Sequence, residues 1–308
     1  MTVDALTLGE AMAAFRMDGA IRLGGTARLS VAGAESTVAI GLARLGHRVA
    51  WAGVTGADEP GALVRRTLLA EGVDLTWSRV DGDRPTGLIL FEPRLPGLDR
   101  VTYHRTGSAG SALTAADADA AFEAGGPRIV HVTGITCALG AGPAEAVRTA
   151  VRRGRAAGAT VCLDVNHRRR LWSDAAATAA LRPLLAGVDV LVASDDEVAL
   201  VGDVPALLAA GIREVVVKHG ADGATSHTAT GAVHRPARRV AVVDTVGAGD
   251  AFVAGLLSGL LDGLDQGGRL DRAVTTAAFA VATRGDWEGL PTRDELPLLD
   301  HAPGTALR

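Results

Sequence analysis

Short apolar, β-branched runs alternate with longer alanine- and leucine-rich stretches through most of the chain. The runs are 3–9 (VDALTLG), 48–54 (RVAWAGV), 86–92 (TGLILFE), 128–133 (RIVHVT), 160–165 (TVCLDV), 188–193 (VDVLVA) and 214–218 (EVVVK). They are nearly continuous in apolar character, as strands covered on both faces are. Between them, 35–45, 60–71, 114–124, 143–157, 174–186 and 203–210 have helix-like spacing. Strand and helix alternating in this way predict βαβ units around a parallel sheet. The final third differs, with two alanine-rich stretches at about 248–261 and 270–283 that predict consecutive helices. Asp262-Gly263 and Gln266-Gly267-Gly268 are expected to form the turn between them.

Two regions break the alternation. Residues 10–31 and 87–106 carry strand-like pieces, with Arg, Gly and Thr, and no helix between them. They are expected to lie outside the main sheet as a small flap over one edge. There is no internal repeat and no Pro/Ser/Gly linker long enough to divide the chain. Residues 1–308 therefore read as one domain with a lid.

Composition narrows the function classes. The 308 residues are 48% hydrophobic and 21% charged, enough to bury a sizeable core. A net charge of -4 argues against nucleic acid, which calls for a basic surface, and 3% aromatic residues leave few stacking platforms. The two cysteines, Cys137 and Cys162, do not make a disulfide framework and favour a reducing, cytoplasmic compartment. The N-terminus lacks the basic-then-apolar pattern of an export signal, and no uncharged apolar stretch reaches eighteen residues. The eight histidines show no paired metal spacing. The expectation is a cytoplasmic, enzyme-sized domain with no nucleic-acid or membrane partner.

Residues 240–256 (VAVVDTVGAGDAFVAGL) carry the chemistry. An apolar strand is expected to end at Asp244, followed by a Gly-Ala-Gly turn and an apolar helix from about Ala248. Glycines let such a turn aim several N–H groups in one direction, and the helix N-terminus adds positive potential. Together they make a site for an anion. A strand–Gly–helix junction also serves as a plain turn, and an aspartate in a first helical turn as a dipole partner. Asp250 shifts the balance. A carboxylate at a passive phosphate site repels its ligand; it makes sense as a base taking the proton of a hydroxyl that attacks a γ-phosphate.

This segment resembles the D-T-x-G-A-G-D-x-F signature of the PfkB/ribokinase family of carbohydrate kinases, and the resemblance extends over essentially the whole chain. It implies a three-layer α/β/α sandwich with a β-sheet lid, using ATP and Mg2+. It assigns Asp250 as base and the backbone of Gly247, Ala248 and Gly249 as anion hole. There is no G-x-x-x-x-G-K-[ST] loop and no protein-kinase H-R-D or D-F-G set.

Other segments resemble the 2-keto-3-deoxygluconate kinases of that family. Residues 32–45 (AGAESTVAIGLARL) are similar to GG-A-E-S-N-V-A, which implies substrate contacts at Gly33 and Thr37; Ala32 replaces a glycine and Thr37 an asparagine. Residues 102–111 (TYHRTGSAGS), 131–136 (HVTGIT) and 164–172 (DVNHRRRLW) imply further contacts at Tyr103, Arg105, Ile135 and Arg168. Arginine pairs with a sugar acid's carboxylate through two hydrogen bonds. Ile89 stands where those relatives often have a second tyrosine. For the nucleotide, 194–197 (SDDE) resembles N-x-x-E, giving Ser194 as a contact and Glu197 as the magnesium-side residue. Lys218, the chain's only lysine, and Gly220 match V-K-x-G, and Gly247 and Gly249 face the phosphates. The ending 284–296 (RGDWEGLPTRDEL) resembles the ketodeoxygluconate kinases more than the ribokinases. The resemblance also leaves room for a monovalent cation near Asp244 and for a homodimer through the lid.

The expected reaction is phosphorylation of a primary hydroxyl of a keto-sugar acid, 2-keto-3-deoxygluconate foremost. A neutral-sugar kinase such as a fructokinase or ribokinase, and a non-catalytic sugar-binding regulator, remain the alternatives. A dinucleotide oxidoreductase is disfavoured by the lack of G-x-G-x-x-G after the first strand.

Overall fold

The computed structural model describes residues 3–95, 98–123 and 126–301. Positions 96–97 of the expected lid, position 124 of the third helical stretch, and positions 1–2 and 302–308 of the expected domain lie outside these residues. In chain order the first strands are β1 (Ala5–Leu8), β2 (Met12–Met17), β3 (Ala27–Ala32), β4 (Val49–Ala52) and β5 (Val54–Gly56). Next come β6 (Arg79–Asp81), β7 (Leu88–Leu95), β8 (Leu98–His104), β9 (Ile129–Thr133) and β10 (Thr160–Asp164). The last are β11 (Val190–Ser194), β12 (Glu214–Lys218), β13 (Ala224–Thr228) and β14 (Gly231–Arg235). The helices begin with α1 (Ala34–Arg44), α2 (Glu59–Ala70), α3 (Ala115–Ala120), α4 (Gly134–Ala138) and α5 (Ala141–Ala156). They continue with α6 (Asp174–Leu181), α7 (Asp195–Val201), α8 (Val204–Ala209), α9 (Ala248–Leu261) and α10 (Gln266–Val281).

The main sheet runs β14-β13-β12-β11-β10-β9-β1-β4. Its strands are parallel from β12 to β4, while β13 and β14 form an antiparallel hairpin at the edge. Strand alternation sends Leu6, Leu8, Val130, Val132, Leu163 and Leu191 to the core shared with α3–α8. Ala5, Trp51, Ile129, Cys162 and Val190 face the opposite core, shared with α1, α2, α9 and α10. Burial on both faces explains why these strands read as continuous apolar runs. Among the described residues, no helix is long and apolar enough to cross a membrane.

A second sheet, β3-β2-β7-β8, is built from the two regions that broke the alternation, and the run at 86–92 belongs to it. Met12, Ala14, Ala32, Ile89 and Phe91 form its inner face, with Val246 packed against them. β5 and β6 pair as a separate two-stranded ribbon.

Parallel strands bring their carboxyl ends to one edge of a sheet, where open α/β folds form their binding crevice. Here that edge carries Glu10 after β1, Thr133 at the end of β9, Asp164 of β10, Ser194 of β11 and Lys218 of β12. The two sequence expectations that fail locally concern the final third. Residues 240–244 form no strand: Val242 and Val243 are 68% and 58% exposed. Instead the N–H groups of Val243 and Asp244 both donate to the carbonyl of Val281, at the end of α10. Gln266–Gly268 is not turn but the first turn of α10, because the Asp265 carboxylate caps it by accepting from Gly268 N at 2.7 Å.

Candidate active site

A cleft of about 900 Å³ opens between the strand ends and the inner face of the small sheet. Of the site residues expected from the sequence, Thr37, Ala248 and Gly220 stand apart from its wall; the others line it. Thr37 is packed inside α1 and 1% exposed. The Ala248 N–H donates to the Thr245 carbonyl at 3.4 Å. Gly220 begins a single 3-10 turn beyond the end of β12.

The turn into α9 is held from several sides. Gly247 adopts φ 75°, and a Cβ there would stand 2.1 Å from the Asp286 carbonyl oxygen, so this position excludes other residues. The Asp244 carboxylate accepts from the Val246 and Gly285 N–H groups at 3.1 and 3.2 Å, and from Arg16 Nη1 at 2.9 Å. Helix α9 is buried from Ala251 onward, while its first turn, Gly247 to Asp250, is half-buried where the helix's N-terminal positive end faces the cleft.

Asp250 sits in the first turn of α9. Burial of its carboxyl pushes its pKa up to about 6; the Arg168 and Lys218 charges oppose this, and the Asp164 charge adds to it. Asn166 Nδ2 donates to Asp250 Oδ1 at 3.3 Å. Among the described residues Asn166 is the one non-glycine with positive φ, 39°, a conformation asparagine tolerates better than most residues. Such strain concentrates at functional positions. The Asn166 N–H in turn donates to Asp164 Oδ1, and Lys218 Nζ spans both Asp164 oxygens at 3.0 and 3.1 Å. One connected network therefore runs from the β12 lysine through Asp164 and Asn166 to Asp250. A Cβ added to Gly249 would meet Lys218 Nζ at 3.6 Å, which puts the ammonium beside the start of α9.

At the end of β11, buried Glu197 ties two loops together: Oε1 accepts from His167 N at 2.7 Å and Oε2 from Ser194 N at 2.9 Å. The Ser194 hydroxyl donates to Asp196. Among the described residues no three His, Cys, Asp or Glu side chains gather as a metal cage. A hard cation that keeps its water and binds mainly to nucleotide oxygens fits this donor set; a caged metal does not.

Further side chains from the small sheet, α1 and α4 complete the cleft wall. Arg105 forms an ion pair with Glu10, whose carboxylate also accepts from Ser108 Oγ at 2.5 Å. Arg105 lies 5.5 Å from the Tyr103 ring, and Tyr103 stands opposite Ile89 across the β7–β8 ladder. Gly33 allows a close approach: a Cβ would come within 2.5 Å of the Glu10 carbonyl oxygen. Ile135, at the start of α4, supplies an apolar wall, and Arg168 projects from the loop after β10. Glu35, buried in the first turn of α1, accepts from Thr133 and Thr136 hydroxyls at 2.6 and 2.5 Å. Burial pushes it up to about 7 against those two hydrogen bonds.

Sequence reasoning assigned no role to Glu10, Arg16, Glu35, Asp164, Asn166 or Asp286. Asp164 and Asn166 lay in plain view within the D-x-N run, and Glu35 beside Gly33. Arg16 and Asp286 had no local signal, since 270 positions separate them in the chain.

Residues 4–293 match the pfkB family of carbohydrate kinases. The chain is 38% identical to the 2-dehydro-3-deoxygluconokinase of Bacillus subtilis (strain 168) over 309 aligned residues, covering 96% of this chain and 95% of that one. A PfkB protein from Polaromonas sp. JS666 has a TM-score of 0.85 at 32% identity, covering 96% and 99% of the two chains. Fructokinase from Vibrio cholerae O395, solved with fructose, ADP and calcium, has a TM-score of 0.82 at 26% identity, covering 96% and 99%. With its match spanning nearly the whole length, the chain belongs to the pfkB family of carbohydrate kinases and is an ATP-dependent sugar kinase of ribokinase-like fold.

Proposed function

We propose that this kinase transfers the γ-phosphate of ATP to a primary hydroxyl of a keto-sugar acid, 2-keto-3-deoxygluconate foremost. The observation that carries this reading is the position of Asp250. Its half-buried carboxylate stands at the N-terminus of α9, on the cleft floor, with Arg105 and Arg168 on the walls. The likeness to the Bacillus subtilis 2-dehydro-3-deoxygluconokinase supports the same substrate class.

In this mechanism Asp250 takes the proton of the attacking hydroxyl, and Asn166 aims its carboxylate. The start of α9, through Gly247, Ala248 and Gly249, and the Lys218 ammonium receive the charge of the transferring group. Ser194 and Gly220 flank the nucleotide. A Mg2+ ion bound with the nucleotide would neutralise phosphate charge, and Glu197 would be the residue to support its water. Gly33, Thr37, Tyr103, Ile135, Arg105 and Arg168 are assigned to the sugar. Thr37, buried in α1, serves that role through the placement of the Gly33 turn, whose carbonyl accepts its N–H at 2.8 Å. The chain reads as one kinase domain whose β3-β2-β7-β8 sheet is the lid, excluding water from the phosphoryl group. Leu29 and Leu98 are exposed on that sheet, which supports a homodimer through the lid. Both cysteines are buried and unpaired, which supports a cytoplasmic location.

A neutral sugar is the second reading, and one observation favours it: Glu10 cancels the charge of Arg105. ADP release over a panel of keto-sugar acids and neutral sugars, with Asp250→Asn as control, separates the two. Sugar acids should turn over fastest, and Arg168→Ala should raise their KM while sparing neutral sugars. Faster turnover of every neutral hexose would refute the substrate, and undiminished turnover by Asp250→Asn would refute the base.

A further inference from the structure

The turn into α9 is built to hold a negatively charged group, yet carboxylates surround it. Asp244 lies two residues before Val246 and Asp286 packs its carbonyl against Gly247; their side chains are 13% and 11% exposed. Asp250 lies in the helix itself, and Glu288 is close enough to add its repulsion to the Asp286 carboxyl. Two such carboxylates without a counter-charge carry a large desolvation cost and repel an incoming phosphate.

One cation lies between them. Arg16, on lid strand β2, donates from Nη1 to Asp244 Oδ2 at 2.9 Å and from Nη2 to Asp286 Oδ1 at 2.8 Å. Its side chain is 6% exposed, and the Phe91 ring of β7 covers the guanidinium at 3.9 Å from Cζ. A planar fork with fixed donor directions spans two carboxylates in a way no lysine can. The two acids it joins belong to the segments that hold Gly247 in place: Asp244 through Val246 N and Gly285 N, Asp286 through its own backbone. The family resemblance leaves room for a monovalent cation near Asp244, and the positive charge found against Asp244 is this guanidinium.

We propose that Arg16 is the resident cation of the phosphate-holding turn, neutralising Asp244 and Asp286 in place of a bound monovalent ion and locking the lid sheet to the start of α9. Arg16 is a positioning residue: its partners are the two acids, and it lines no part of the cleft. This rests on the reading of that turn as the phosphate holder. Two consequences follow. The enzyme needs no potassium or sodium. Seating of β2 and geometry of the turn are coupled, because one side chain belongs to both.

The test uses the full chain with the best substrate of the panel, in buffer whose only monovalent cation is tetramethylammonium, with and without added potassium or guanidinium chloride. The parent should change by less than about twofold on either addition. Arg16→Ala should lose kcat by about 100-fold, the effect of one misplaced oxyanion donor, while its KM for the sugar holds. Potassium or guanidinium should restore about tenfold of that loss, a response that packing damage would not give. A parent that requires potassium overturns the proposal, as does a folded Arg16→Ala with parental kcat, or a loss neither cation relieves. If Arg16→Ala does not fold, Arg16→Lys carries the test: parental kcat without potassium overturns the bridge, and a potassium-dependent kcat supports it. Asp250→Asn is run alongside. Its undiminished activity would sink the phosphate-site reading itself, whatever the salt response of the Arg16 variants.

Discussion

Lys218→Met separates the electrostatic from the catalytic work of the strand-end network. Lys218 Nζ lies 3.0 and 3.1 Å from the two oxygens of Asp164, whose side chain is 1% exposed. Removing the ammonium leaves that carboxylate buried and uncompensated, a loss of about 3–5 kcal/mol. Against a typical total of about 5–15 kcal/mol, that is a large share of the stability. Neutralising both partners removes the strain. Lys218→Met/Asp164→Asn keeps an acceptor for the Asn166 N–H, given to Asp164 Oδ1 at 3.3 Å, and should regain at least about 2 kcal/mol. Urea denaturation at neutral pH, followed by tryptophan fluorescence and circular dichroism together, reads both variants. Turnover should not follow stability: both variants lack the ammonium beside Gly249, and both should fall by at least about 100-fold in kcat. A single variant within about 1 kcal/mol of the parent would refute the buried pair. So would a double variant as unstable as the single one.

Two further predictions concern pH. As the proposed base, Asp250 would work only when ionised, so kcat/KM should fall as pH drops below about 6, the value to which burial raises it. The Arg168 charge lowers that value, so Arg168→Ala should move the acidic limb upward; a limb that stays in place would argue against a charge interaction between the two. Glu35 is raised from 4.5 to about 7 by burial, so the folded state holds a proton that the unfolded chain has released. Its contribution therefore declines as pH rises from 4.5 to 7. Glu35→Gln should flatten this part of the stability profile relative to the parent and be the more stable protein at pH 8, as read by thermal melts; an unchanged profile would mean that the carboxyl is ionised throughout.

Much of the fold was legible because burial on both faces leaves a mark in each strand separately. The runs 128–133, 160–165 and 214–218 coincide with β9, β10 and β12 to within a residue or two, and 248–261 with α9. The run 240–244 has the same apolar, β-branched look and forms no strand, because strand character needs a partner edge and this segment hydrogen-bonds to the end of α10. The β13–β14 hairpin escaped for the converse reason. Ala224–Thr228 and Gly231–Arg235 are polar enough to pass for loop, and only the edge of β12 makes them sheet.

The sequence by itself determined the parts that short-range chemistry dictates. These are the βαβ alternation, the glycine turn before an apolar helix, and a carboxylate in that helix's first turn. Tertiary structure alone decided what each charge does. It paired Arg105 with Glu10, it set Lys218 against Asp164, and it placed Arg16 between Asp244 and Asp286. The physical reason is the reach of the interactions. Backbone propensity and apolar periodicity act over a few residues and can be read from the string. A buried charge is defined by whatever the fold brings within about 4 Å of it, from any distance along the chain.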